Sequence, residues 1–366
     1  MQKVNPTLIY RLLNLWIAFI GILFVSSYLP HWANVSYHTW INETAYFMIF
    51  LLSIAITKIE KHNKDIFINL SILTFCYSFS FINIFIGDKY LFGNAYTQYY
   101  VFHYKKTILT LLFNFNIIYL AVKYLLLRKY KIRTLYIITT VLILPVFLMQ
   151  FFPYLADAHR IFSLGSLYRQ DLSQRIFIGE SFALVYVILY GFKLYKKDAI
   201  LGEYINPLMA SFFIFLVSNM INNLSIILHI NIFSIGQYIL TFNLLSLTVI
   251  LLKKLCFLSS DYGQFYESLT TQKISLGKLK IQRQHSEINS LLVNVLKNYF
   301  YFRRNYILGV FFITGVSFSY LEFPKFFIIN FAALTLCFAI LFWFINALYR
   351  RRAKHGFIVP SKGADS

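Results

Sequence analysis

Long apolar runs, repeated along the chain, constrain the fold more than any other feature of this sequence. Ten of them approach or exceed the length needed to cross about 30 Å of hydrocarbon as a helix. Inside lipid, backbone polar groups must be paired within their own segment, so each run is predicted to be an α-helix. The expected fold class is therefore all-α, a polytopic integral membrane protein with about ten transmembrane helices. The predicted spans are residues 8–29, 44–57, 66–86, 107–127, 134–152, 176–194, 207–228, 233–252, 306–320 and 326–349.

The composition agrees with a membrane protein and excludes most other classes. Only 13% of the 366 residues are charged and 58% are hydrophobic, with a mean hydropathy of +0.62. Soluble domains carry about 25% charged residues, because their surfaces must be solvated by water. The chain has too few charges to cover a globule, so a soluble enzyme, a disordered tail and a fibrous repeat are excluded.

Lysine and arginine are distributed unevenly between the loops that join the predicted spans. With the N-terminus on the cytoplasmic side, seven of the 34 cations fall on the outer side and the other 27 on the inner side. This asymmetry is the positive-inside pattern, and it places both termini in the cytoplasm. We expect a multi-pass protein of the cell inner (plasma) membrane, with an organelle membrane as the competing location.

The positive charge also bears on the partners of the chain. The net charge of +20 is concentrated on the inner face, where anionic lipid headgroups are expected to bind. No aromatic and basic recognition module accompanies it, so no nucleic acid is expected as a partner.

The spacing of the spans predicts four regions. Residues 1–252 form an eight-span bundle, 253–305 a basic cytoplasmic helix, 306–349 a two-span hairpin, and 350–366 a basic cytoplasmic tail. In the cytoplasmic helix, β-branched residues recur every seven positions, a pattern that suits a dimerising coiled coil. Its lysines and arginines also suit a single amphipathic helix that lies on the bilayer. The helix would therefore either dimerise or dock, so a homodimer and a subunit of a membrane complex both stay open. The heptad residues are Ile274, Ile281, Ile288 and Val295.

Polar residues inside the sixth, seventh and eighth spans form the candidate site. Hydrocarbon does not solvate such groups, so they need partners within the protein. One interpretation is a polar cavity open to the outside, with Glu180 as its charged member. The other is interhelical hydrogen bonding that holds the bundle together. The residues are Glu180, Asn219, Asn222, Asn223 and Gln237.

The third outer loop offers a second candidate site. His159, Arg160 and Arg169 would bind an anionic, lipid-linked substrate if the protein were an enzyme. However, no nucleotide-binding, hydrolase or metalloprotease motif is present. The three cysteines, Cys76, Cys256 and Cys337, lack metal-ligand spacing, so we expect neither a metal nor a cofactor.

A resemblance to a known family begins at Gly179. The text GESFALVYVILYGFKLYKK, the apolar runs that follow it, and the linker text QHSEINSLL around His285 resemble the multi-span N-terminal sensor module of bacterial membrane histidine kinases, over about residues 179–300. The resemblance implies a last membrane helix that continues into a dimerising cytoplasmic helix. Two further spans replace the kinase domain, and a serine separates His285 from Glu287. His285 is therefore expected to be an exposed helix residue and not a phospho-acceptor.

These observations favour a non-enzymatic inner-membrane protein that is sensor-like or complex-forming. Its outward surface would meet a ligand or partner, and its cytoplasmic helix would dimerise or dock. Two alternatives stay open: an envelope glycan- or lipid-processing enzyme of the O-antigen polymerase or acyl-transfer kind, and a transporter that uses Glu180.

Overall fold

The computed structural model describes residues 6–27, 37–60, 63–78, 95–126, 131–156, 165–195, 202–230, 233–258, 279–322 and 324–354. All regular structure in these ranges is helical, so the predicted all-α fold class is confirmed for them. A described helix overlaps each predicted apolar run, and residues 28–29, 79–86 and 127 of these runs lie outside the described ranges. The helices are α1 Pro6–Ser27, α2 Tyr37–Ile59, α3 Lys64–Ser78, α4 Ala95–Leu126, α5 Ile132–Ala156, α6 Gly165–Tyr195, α7 Gly202–Leu228, α8 Phe233–Leu258, α9 Leu279–Glu322, a 3-10 turn Pro324–Phe326, and α10 Phe327–Lys354.

Four of the described helical segments are long and apolar enough to cross a membrane. Further segments of α1, α4 and α5 are also apolar but shorter. Length and hydropathy at this level indicate a membrane protein. The four long segments are Ile41–Ile59, Pro207–Leu228, Ile235–Cys256 and Pro324–Leu348.

The chain divides into two compact units. Ile41–Leu251 forms one, here called the central unit; Met1–Trp40 and Leu252–Ser366 together form the other, the terminal unit. The first helix therefore groups with the C-terminal helices and not with the helices that follow it in sequence.

Helix α4 forms the middle of the central unit. It packs against α3, α5, α6 and α7. Phe113, Ile117 and Ile118 are completely buried, and the next turn, through Val122, is at most 4% exposed. A helix that is apolar on every side is stable when other helices surround it, as happens here.

Helix α7 ends in a compact cap before α8 begins. His229 has a left-handed backbone with φ of 54°, and the Ile230 amide donates to the Ser225 carbonyl at 3.1 Å. This six-to-one hydrogen bond after a left-handed residue is the Schellman arrangement. It turns the chain sharply, so that the polar residues of the last turns of α7 lie beside the start of α8.

The terminal unit is built from α1, α9 and α10. α9 has 44 residues and is about 66 Å long, so it continues without a break from the predicted cytoplasmic segment into the ninth predicted span. Tyr299 and Tyr306 of α9 donate their hydroxyl groups to the side-chain and backbone oxygens of Asn14, at 2.8 and 2.9 Å. These bonds fix α9 against α1.

Candidate functional site

A buried carboxyl group joins α6 to α7. The side chain of Glu180 is 1% exposed, and that of Asn223 is 3% exposed. The Asn223 amide nitrogen donates to a Glu180 carboxylate oxygen at 3.0 Å. Two of the polar residues that the sequence analysis singled out are therefore in direct contact, inside the helix bundle of the central unit.

Two stacked tyrosines lie next to this pair. The rings of Tyr46 on α2 and Tyr77 on α3 are 4.8 Å apart, at an interplanar angle of 24°. Tyr77 interacts electrostatically with Glu180, and Tyr46 does so with Glu43, a second buried carboxyl group. We call these residues the carboxyl–tyrosine cluster: Glu43, Tyr46, Tyr77, Glu180 and Asn223.

The cluster holds two carboxyl groups away from water. A buried carboxylate is costly unless it is hydrogen-bonded, and it is stabilised further by a nearby cation. A pair of such groups beside two phenol hydroxyls can hold and exchange a proton, or it can attract a small cation into the bundle. The arrangement contains no nucleophile activated by a base.

A cavity opens from the tyrosine pair toward the middle of the central unit. It has room for about one water molecule. Its wall is almost entirely apolar and consists of five aromatic rings, five aliphatic side chains, and Thr74, Ser211 and Asn243. Glu180 does not line this cavity, but its neighbour Tyr77 does. The rings belong to Tyr46, Tyr77, Phe113, Phe212 and Phe215.

Polar pairs also connect α7 to α8. The Ser211 hydroxyl donates to the Asn243 side-chain oxygen, and the Asn243 amide donates back to the Ser211 carbonyl, both at 2.9 Å. Two turns beyond, the Ser218 hydroxyl donates to the Gly236 carbonyl. These contacts are interhelical hydrogen bonds of the kind that stabilises helix pairs in lipid.

The other candidate residues of α7 and α8 make fewer contacts. Asn222 is 9% exposed, and its side-chain oxygen has no hydrogen-bond partner among the described residues. Asn219 and Gln237 are half-buried, and their side chains form no hydrogen bond within the described ranges. The structure thus brings Glu180 and Asn223 together and leaves Asn219 and Gln237 outside the carboxyl–tyrosine cluster.

The remaining predicted residues lie wholly or partly outside the described part of the chain. This holds for His159, Arg160 and Ile274, and for the side chains of Arg169, Ile281 and Ile288, which belong to helices α6 and α9. Val295 is described, and its side chain is 6% exposed within its own chain. No group of three potential metal ligands occurs among the described residues.

The sequence analysis did not predict one buried polar group of side chains. The Lys123 ammonium group of α4 lies 2.7 Å from both carboxylate oxygens of Asp65 at the start of α3, and the Tyr119 hydroxyl also donates to Asp65. Beside it, the Tyr136 hydroxyl of α5 donates to the Asn69 side chain at 2.7 Å. The available signal was Lys123 itself, a cation within the fourth predicted span.

Comparison with known proteins adds no assignment. No protein-family model, curated protein or solved structure matches the chain.

Proposed function

We propose that the chain is a ten-span protein of the cell inner membrane with both termini in the cytoplasm. The proposal is supported by the overlap of a described helix with every predicted apolar run and by the four segments that meet the length and hydropathy of a membrane span. The uneven distribution of lysine and arginine supports this orientation. Reporter fusions after Arg133 and Arg352 test it: both should report the cytoplasmic side, and opposite sides would refute the topology.

Within this topology, we propose a sensor-like, non-enzymatic protein that binds a ligand at the carboxyl–tyrosine cluster. The observation that carries the proposal is Glu180, a carboxyl group 1% exposed and hydrogen-bonded to Asn223. Neutral polar residues suffice to hold helices together, as Ser211 and Asn243 do. Burying an ionisable residue costs additional free energy, and helix packing alone does not need such a residue. Its presence therefore points to a binding role.

The proposed orientation puts the cluster near the outer face. Asn223 lies near the end of an outward-running helix, whereas Glu43 follows the start of an inward-running helix. These positions lie at a similar depth in the membrane, close to the outer loops. A ligand from outside would therefore reach the cluster without crossing the whole membrane.

The sensor-like function is tested through the cytoplasmic part of α9. In a protein without Cys76, Cys256 and Cys337, a cysteine replacing Ile288 reports dimerisation by oxidative crosslinking in native membranes. If the cluster signals to this helix, Glu180→Gln should change the crosslinking yield severalfold. The matched control is Tyr238→Phe, a change at a side chain that is 61% exposed, and it should leave the yield unchanged. Equal yields in the wild type and Glu180→Gln would refute signalling from the cluster.

A second candidate is transport of a small cation. The water-sized cavity beside the cluster favours it, because a buried carboxyl group and a cavity together provide a binding point inside the bundle. In proteoliposomes, Glu180→Gln should then abolish cation uptake. The envelope-enzyme alternative rests on His159, Arg160 and Arg169 and stays a prediction.

A further inference from the structure

We propose that the surface formed by the starts of α3 and α5, here called the α3–α5 surface, binds one anionic phospholipid of the inner leaflet. A basic inner face attracts such lipids in general, whereas this proposal assigns a single lipid to named residues. It rests on the proposed orientation for the choice of leaflet, and it is independent of signalling through α9. Three features support it: the contact between the helices, the exposure of their charges, and the apolar side chains that follow these charges.

Side chains hold the starts of α3 and α5 next to each other. Both helices pack on α4. The Tyr136 hydroxyl of α5 donates to the Asn69 side chain of α3 at 2.7 Å. Ile68 precedes Asn69 and Ile137 follows Tyr136, so residues of both helices on either side of this bond belong to one surface.

The exposed charges of this surface are positive. Lys64, Lys131 and Arg133 are all exposed. Asp65 is the single acidic residue of the described helices α3, α4 and α5. Its side chain is 6% exposed, and the Lys123 ammonium group lies 2.7 Å from it. The surface therefore presents three cations to its surroundings while its acid is buried and paired, and a phosphate group is the complementary partner.

Apolar side chains continue from the cations along the same helix faces. Residues four, seven, eight or eleven positions apart lie on one face of a helix. The four apolar residues at such positions are between 38% and 57% exposed. A phospholipid has the same order, a charged headgroup followed by hydrocarbon, whereas a soluble phosphate would contact the cations alone. The rows are Lys64, Ile68 and Ile72 on α3, and Arg133, Ile137 and Leu144 on α5.

Lipid-dependent stability tests the proposal on the full chain in detergent micelles. The melting temperature is followed while phosphatidylglycerol replaces phosphatidylcholine at constant total lipid and ionic strength. Phosphatidylglycerol should raise the melting temperature in a saturable manner, because it binds the folded state. Glycerol 3-phosphate carries a phosphate group without acyl chains and should give no shift at the same concentration. Equal melting temperatures in the two lipids would overturn the proposal, and an equal shift with glycerol 3-phosphate would overturn binding through the apolar rows.

A charge-matched pair of double variants locates the headgroup. Lys131→Gln combined with Arg133→Gln should raise the half-saturating concentration of phosphatidylglycerol about 25-fold, because each cation near an anionic lipid contributes about 1 kcal/mol. Lys297→Gln combined with Lys325→Gln removes the same charge at two exposed positions of the terminal unit and should have little effect. Equal effects of the two double variants would assign the response to net charge and overturn the site.

A pair of isoleucine variants locates the acyl chains. Ile137→Asn should raise the half-saturating concentration severalfold, because it places a polar group in the apolar row of α5. Ile235→Asn is the control, because Ile235 of α8 is 54% exposed and Ile137 is 57% exposed. Unchanged binding in Ile137→Asn would contradict the role of the apolar rows.

The outcomes separate this proposal from the proposed topology. If phosphatidylglycerol has no selective effect while fusions after Arg133 and Arg352 both report the cytoplasm, the topology stands and the lipid site is wrong. If the lipid binds at this surface and the two fusions report opposite sides, the site stands and its assignment to the inner leaflet is wrong.

Discussion

Asp65 and Tyr77 lie twelve residues apart on α3, about 18 Å along its axis, and each belongs to a different polar group of the central unit. Asp65 forms the ion pair with Lys123, and Tyr77 belongs to the carboxyl–tyrosine cluster. Between them, Leu70, Leu73 and Thr74 line the cavity of the central unit. Helix α3 therefore contributes both to the charged pair and to the proposed ligand site.

Removing the cation of the buried pair should strongly destabilise the protein. Lys123→Met leaves the Asp65 carboxylate, 6% exposed, without its charged partner. Breaking one side of a buried ion pair typically costs about 3–5 kcal/mol. The free energy of unfolding in mixed micelles measures the loss. Lys131→Met, at an exposed position, is the control and should change stability by less than about 0.5 kcal/mol.

The double variant tests whether the pair itself is responsible. Asp65→Asn combined with Lys123→Met removes both charges, so part of the stability lost in Lys123→Met should return. A double variant that loses the sum of the two single effects would show that the two side chains act independently.

The close approach of α7 and α8 should not tolerate a side chain at Gly236. A Cβ atom placed there would clash with the side-chain oxygen of Asn222 and would lie 2.9 Å from the backbone oxygen of Ser218. Gly236→Ala should therefore lower the free energy of unfolding by about 1–3 kcal/mol. Gly191 has open space around the same position, so Gly191→Ala should be neutral or stabilising by up to about 1 kcal/mol. Similar effects at both glycines would contradict the helix packing.

The helical fold could be predicted because apolar runs of this length leave the backbone no other solution in lipid. Glu180 and Asn223 could be singled out for the same reason, since each is polar within an apolar run. Their contact could not be predicted from spacing, because it depends on which helices are neighbours. The same holds for Tyr46 and Tyr77, which an aromatic-rich sequence does not distinguish from other core residues.

The ion pair shows where sequence patterns are ambiguous. Asp65 follows Lys64 at the start of α3, where an acidic residue is typical of a helix N-terminus. Lys123 lies in the last turn of α4, where a cation is typical of a helix C-terminus and of the inner side of a membrane. Each residue has a sufficient local explanation, so only the three-dimensional structure shows that they meet.

Tyr299 should stabilise the terminal unit through a single hydroxyl group. This hydroxyl donates to the Asn14 side chain at 2.8 Å, and Tyr299 is 1% exposed. Tyr299→Phe keeps the ring and leaves the Asn14 oxygen without this donor, which should cost about 0.5–1.5 kcal/mol in unfolding free energy. Tyr320→Phe, at a side chain 61% exposed, should have little effect. If Tyr299→Phe is neutral in an otherwise unchanged unit, the hydrogen bond contributes nothing to the contact of α1 with α9.

The surface of α10 should face lipid. None of the segment Pro324–Leu348 is buried within the chain, although its mean hydropathy is 2.4. Leu336 lies at the middle of this segment and is 64% exposed, so Leu336→Arg would place a charge at the bilayer centre. Insertion of the helix should become less favourable by about 2.5–3.5 kcal/mol, measured by glycosylation sites on both sides of the segment in a translocation assay. Leu348→Arg is the matched control, because an arginine at the end of the segment reaches the headgroups and should insert almost normally. Equal insertion of the two variants would mean that α10 does not cross the hydrocarbon.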